Sequence, residues 1–175
     1  FFMTTGYAGK KSSWMIPEVD VEFQVADWAE IKNLDSMGFE IGSHSMTHPH
    51  MSDISADACR KEIEGSRKVL EEILGHEVRH MAYPHGSYND TVVNLVTECG
   101  YLTACTTEGR IAGTDDRMLT LPRINIGMED TITDFVCKLY TGRSLPARIN
   151  NSYVTNLKEA IPKPVRKFIR KYVLP

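Results

Sequence analysis

Several things are scarce or missing in this 175-residue chain, and each absence excludes a class. No uninterrupted apolar run approaches the roughly 18 residues that a membrane-spanning helix needs. Glycine and proline together make only 20 of 175 positions, which excludes collagen-like and low-complexity chains. The four cysteines contain no Cys-x-x-Cys pair and no regular spacing, so neither a thiolate metal knuckle nor a dithiol redox motif is present. Cys59 and Cys99 fall at apolar positions of expected helices and read as buried thiols. No initiator methionine stands at position 1, and the chain opens inside the apolar, strand-like run Phe1-Phe2-Met3. No histidine follows His85.

What is present is a globular composition, 42% hydrophobic and 25% charged, long enough for one buried core. The net charge of −3 conceals an asymmetry. Residues 158–175 carry a net +5 and residues 1–157 a net −8. An acidic body argues against nucleic acid as a partner.

The chain is expected to alternate strand and helix. Strands are predicted over 1–5, 39–42, 80–83, 102–106 and 118–126. Helices are predicted over 25–37, from a Ser55 cap to Leu74 with Gly75 as its stop, from Asn89 or Asp90 to Cys99, and over 132–140. This order means βα units around parallel strands in a single domain, 1–157. Residues 158–175 form a separate basic amphipathic helix, with Val165, Phe168, Ile169, Tyr172 and Val173 on one side. That helix either docks its apolar stripe on the body or makes a peripheral contact with an anionic membrane surface.

In such folds chemistry gathers on the loops after the strands. After the second strand comes Ser43-His44-Ser45-Met46-Thr47-His48-Pro49, and after the third Pro84-His85-Gly86-Ser87-Tyr88-Asn89. His44 and His48 can converge on one ion if the stretch between them makes a single turn, since neutral imidazole is a good ligand for zinc and its neighbours. The alternative is a pair of surface histidines in a polar loop. The helical His-Glu-x-x-His arrangement does not apply, because position 45 is serine and Pro49 disfavours a helical His48. His50 reads as exposed, and His76 and His80 as residues at the opposite end of the sheet. Trp28 reads as core packing.

Phe39–Pro49 closely resembles the histidine motif, H-[ST]-x-x-H, of the polysaccharide deacetylases, the NodB-homology group of carbohydrate esterase family 4. Trp28, the Glu62-x-x-x-Ser66-x-x-x-Leu70 helix, Tyr83-Pro84-His85-Gly86-Ser87-Tyr88-Asn89, Cys99-Gly100-Tyr101, Ala104 and Leu121-Pro122-Arg123-Ile124 follow in the family's order. The resemblance implies a distorted (β/α) barrel of seven or eight units and a divalent metal, zinc or otherwise cobalt, nickel or manganese, held by two histidines and an aspartate. It implies hydrolysis of N-acetyl groups on an amino-sugar polysaccharide or cell-envelope glycan, with an extracytoplasmic location for which this chain carries no visible signal. It assigns His44 and His48 to the metal, the His85 N–H to the oxyanion, and Tyr83, Pro84 and Gly86 to substrate contact.

Three departures matter. The family's Thr-Phe-Asp-Asp-Gly segment, source of the base and of the ligating aspartate, is absent; Asp115-Asp116 reads as a solvated turn. A barrel lacking its first βα unit would account for that absence and for the apolar opening, and would leave the 175 residues close to inactive. Ala82 stands where many members have an arginine, so Arg123 becomes a candidate to orient a catalytic carboxylate, against an equally weighted surface ion pair. No late histidine offers a general acid; the His85 side chain is either a substitute for it or, the favoured reading, a spectator at the rim. Two other functions fit the same features: a non-catalytic homologue that binds glycan or metal, or an amidase or deformylase acting on a small or lipid-linked substrate.

Overall fold

The computed structural model describes residues 1–15, 22–127 and 129–143. The basic segment 158–175 lies outside the described residues, so both readings of it remain expectations. The chain divides into two compact units, one of Phe1–Thr106 with Asp116–Leu121 and one of Thr107–Asp115 with Pro122 onward.

In the first unit the strands β1 (Phe2–Met3), β2 (Gly42–Ser43), β3 (His80–Ala82) and β4 (Thr103–Cys105) form a parallel sheet in sequential order. Each neighbouring pair is joined through a helix, namely α1 (Trp28–Ser36), α2 (Ala56–Leu74) and α3 (Asp90–Glu98). Parallel pairing demands such crossovers. Met3 pairs with Ser43, Ser43 with Met81, and Met81 with Ala104, so the strand ends that carry the two polar loops lie side by side.

The helix boundaries follow local chemistry. α1 begins at Trp28 rather than Val25, because Asp27 and Glu30 close a capping box and the Val25 N–H is committed to the Lys10 carbonyl. α2 spans the expected range: the Ser55 hydroxyl caps the Ala58 amide, and Gly75 ends the helix at φ 78°. Its stripe of Cys59, Ile63, Ser66 and Leu70 is buried. Asn89 caps α3 through the Val92 amide. The core joins Ile63, Leu70, Val78, Met81, Val96 and Ala104, each fully buried, and Trp28 packs partly buried against it. Cys59 is buried and Cys99 half-buried, and none of the four cysteines is in a disulfide.

The strands are shorter than the sequence suggests. β1 stops at Met3 because Thr5–Tyr7 curls into a single 3-10 turn whose amides at Thr5 and Gly6 reach the Ser45 and Met46 carbonyls. The expected strand over 118–126 does not form. Met118–Thr120 turn instead, only Leu121 bridges Cys105, and Pro122 has no N–H with which to continue.

In the second unit, helix α4 (Ile132–Thr141) starts at a Thr131–Asp134 capping box and ends at Gly142. Lys138 joins the Asp130 carboxylate and the Asn125 carbonyl. The Arg123 amide donates to the Glu108 carbonyl.

Candidate functional site

β2 ends in a loop whose backbone leaves the ordinary regions twice. Ser45 has φ 65° and His48 φ 63°. Such conformations cost of order 1–3 kcal/mol each and persist only where surrounding contacts enforce them. Here the Ser45 hydroxyl accepts the His48 amide at 2.9 Å, and the Ser43 hydroxyl accepts the Ser45 amide at 3.3 Å. Pro49 excludes a helical continuation, as expected, and the loop folds back on itself.

The result brings the two imidazoles together. His44 Nε2 and His48 Nε2 lie 3.1 Å apart, with the rings at 71°. His44 Nδ1 is 2.7 Å from the Ala82 carbonyl of β3. A carbonyl can only accept, so Nδ1 carries the proton and Nε2 presents a lone pair. Burial, then the neighbouring charges of His44 and His85, pull the His48 pKa down from 6.5 to about 4. His48 is therefore neutral at pH 7. Its Nδ1 is buried and has no hydrogen-bond partner among the described residues.

Two imidazole nitrogens converging this way suit a divalent ion: bonds of about 2.0–2.1 Å at a tetrahedral angle separate two nitrogens by about 3.3 Å. The fit is partial. No group of three His, Cys, Asp or Glu side chains that could enclose an ion occurs among the described residues. Among the described residues two candidate ligands stand here and no third.

His85 and its neighbours complete the rim. The turn Pro84–Gly86 places His85 at φ 55°. Its ring stacks on His50 at 3.8 Å and meets His48 edge-on at 4.5 Å. The His85 side chain, read from the sequence as a rim residue, thus has its ring against the candidate ligand His48. His50 is exposed, as expected. Tyr83 and Pro84, expected to touch substrate, are instead interior. The Tyr83 ring is fully buried, stacks on Tyr88 and donates its hydroxyl to the Leu119 carbonyl at 2.8 Å. Gly86 is half-buried. Arg123 belongs to the second unit and does not stand on a strand. His80 opens β3, and His76 precedes it, so both lie at the opposite end of the sheet.

Sequence reasoning missed three contributors. The Ala82 carbonyl has no side-chain signature at all. Trp14 stacks on the His48 ring at 5.2 Å and is itself met edge-on by Tyr7 at 4.5 Å, from a loop with no periodicity to flag it. Glu62 of α2 accepts hydrogen bonds from the loop, and only its four-residue spacing from Ser66 hinted at a shared face.

Comparison with known proteins identifies the family. Residues 1–104 match the family described as polysaccharide deacetylase. The chitooligosaccharide deacetylase of Azorhizobium caulinodans is 33% identical over 64 residues, 36% of this chain and 30% of that protein. Among solved structures, the deacetylase PplD of Streptococcus pyogenes, in complex with acetate, superposes with a TM-score of 0.60 at 25% identity, covering 71% of this chain and 51% of that one. A polysaccharide deacetylase from Bacillus cereus gives 0.58 at 30% identity, covering 69% and 38%. The chain thus spans about half the length, or less, of these relatives. With more than half of its residues matched by the family and two such structures superposing on it, the chain belongs to the polysaccharide deacetylase family.

Proposed function

We propose that this chain forms part of a metal-dependent deacetylase that removes N-acetyl groups from an amino-sugar glycan outside the cytoplasm. The parallel sheet would be a portion of a (β/α) barrel. The observation that carries the reading is the pair of facing Nε2 atoms, 3.1 Å apart, with His44 Nδ1 committed to the Ala82 carbonyl. The chitooligosaccharide deacetylase among its relatives supports an amino-sugar substrate.

In this reading His44 and His48 hold the ion, zinc by the chemistry of its ligands. Such an ion, when bound, polarises an amide carbonyl and lowers the pKa of a water. The chain's own part is to keep His48 neutral and both imidazoles aimed. In the same reading the His85 N–H, in the left-handed turn after Pro84, would stabilise an oxyanion, and the glycan would enter over the exposed loop edge. A carboxylate must take the proton of the attacking water. No carboxylate joins the two histidines in a ligand group among the described residues, so the 175 residues by themselves are expected to release little acetate.

Zinc titrated calorimetrically into the full chain tests the ligand assignment. One ion should bind, and the His44→Ala/His48→Ala double variant should bind none. Equal stoichiometry in both proteins would remove the assignment. Zinc binding without any affinity for N-acetylated chitooligosaccharides would favour a metal-binding homologue of another substrate class. Robust zinc-dependent acetate release by these 175 residues would place the base within them.

A further inference from the structure

One face of α2 presents Glu62, Gly65 and Ser66, three and four residues apart, to the histidine loop. Each of the three meets it differently. The Glu62 carboxylate accepts the Met46 amide and the Thr47 amide on Oε2, both at 2.8 Å, and the Thr47 hydroxyl on Oε1 at 2.7 Å. Gly65 leaves room for the Met46 side chain: a Cβ there would lie 2.5 Å from the Met46 Sδ. The Ser66 hydroxyl lies 2.7 Å from that of Ser43, which accepts the Ser45 amide in turn.

Met46 and Thr47 are the two residues that separate the left-handed Ser45 and the left-handed His48. Their amides point the same way, toward a single carboxylate oxygen. An ionised carboxylate offers only acceptors, and bonds to it are the stronger, charge-assisted kind. The convergence of His44 and His48 depends on this turn, because four residues in an extended chain would carry the two rings far apart.

We propose that Glu62 is a positioning residue: its carboxylate fixes the Met46–Thr47 turn and thereby sets how tightly the His44–His48 pair binds a divalent ion. This rests on the metal-site reading above. Partners that orient metal ligands change affinity about 10–100-fold when removed. Glutamine at position 62 keeps one acceptor oxygen but turns an amide N–H₂ toward donors. Glu64, on the same helix and paired with Lys68, supplies a control that alters the same charge without touching the loop.

The test uses the full chain, with zinc alone as the probe, in three variants: Glu62→Gln, Glu64→Gln and Thr47→Val. Calorimetry should give a zinc dissociation constant about 10–100-fold weaker for Glu62→Gln. It should be unchanged for Glu64→Gln and about two- to tenfold weaker for Thr47→Val, which loses one hydrogen bond. Ring-nitrogen NMR of the metal-free proteins supplies a readout that global destabilisation would not select. The His44 and His48 signals should move in Glu62→Gln, while those of His76 and His80 stay in place. Should Glu62→Gln fail to fold, Thr47→Val decides by the same two measurements. Unchanged affinity together with unchanged His44 and His48 signals would overturn the proposal. If the unsubstituted chain binds no zinc, the metal reading fails, and the ring signals alone decide whether Glu62 positions the histidines.

Discussion

His44 donates its Nδ1–H to the Ala82 carbonyl, 2.7 Å away on the neighbouring strand and 38 positions later in the sequence. That one bond decides which nitrogen His44 offers to His48. It is a backbone acceptor, so no substitution at position 82 that preserves the strand can remove it. We therefore expect the metal-free protein to hold His44 in the Nδ1–H tautomer at pH 7. Long-range proton–nitrogen correlation spectra distinguish the two tautomers directly. An Nε2–H signal for His44 would mean that the ring is turned and that the facing lone pair is lost.

His48 makes the metal-free fold sensitive to acid. Its pKa falls from 6.5 to about 4 on folding, because burial and the charges of His44 and His85 oppose protonation. The unfolded chain binds the proton more readily, so the contribution is fully present above pH 6.5 and is lost as pH falls from 6.5 toward 4. At about 1.4 kcal/mol per unit it amounts to at most about 3.5 kcal/mol, less whatever solvent screening removes at a half-buried ring. Urea denaturation in a chelator at pH 7, 5.5 and 4.5 should record the fall, and His48→Asn should flatten it. An equal slope in the variant would locate the acid sensitivity elsewhere.

His76 carries the opposite sign. Its Nε2 faces the Asp35 carboxylate at 2.9 Å and its Nδ1 the Glu77 carbonyl at 3.2 Å, two acceptors that only the doubly protonated ring satisfies together. Its pKa is raised above 6.5, by the Asp35 bond first and the Glu77 carbonyl second. Its stabilisation is present below pH 6.5 and lost as pH rises through the folded value. Asp35→Asn should return the His76 titration toward 6.5 in an NMR titration. An unchanged midpoint would dismiss the pairing.

These two histidines mark what a sequence can and cannot disclose. The α2 limits were readable because Ser55, the apolar stripe and Gly75 all act locally, within one turn of the residues they govern. The His44–His48 pair was readable from spacing and from its place after a strand. The Ala82 carbonyl, the Glu62 clamp and the Trp14 stack were not, because each joins segments 15 to 38 residues apart through atoms that leave no pattern. The burial of Tyr83 was hidden for a related reason: the resemblance put it beside the substrate loop, and nothing local showed that its hydroxyl reaches the Leu119 carbonyl inside. The missing strand over 118–126 shows tertiary context overriding β propensity, since Leu121 alone of the described residues there forms a β-bridge before Pro122 ends the pairing.

Gly42 ties the sheet to the site, and its replacement should injure both. It pairs with Phe2 of β1, and a Cβ at position 42 would come within 2.7 Å of the Phe2 ring and 2.8 Å of the His80 carbonyl. The half-exposed Phe2 ring can yield. The His80 carbonyl is backbone in the adjacent strand and cannot do so without separating β2 from β3. That separation would lengthen the His44–Ala82 bond two residues further on. Gly42→Ala should therefore cost about 1–3 kcal/mol in urea denaturation and weaken zinc binding as well. Gly75→Ala offers the contrast: its φ of 78° makes alanine unfavourable by about 1–2 kcal/mol, but no atom lies within 4 Å of the added carbon. Stability should fall in both variants and zinc affinity in Gly42→Ala alone. Equal zinc affinity in the two would uncouple the strand register from the histidine pair.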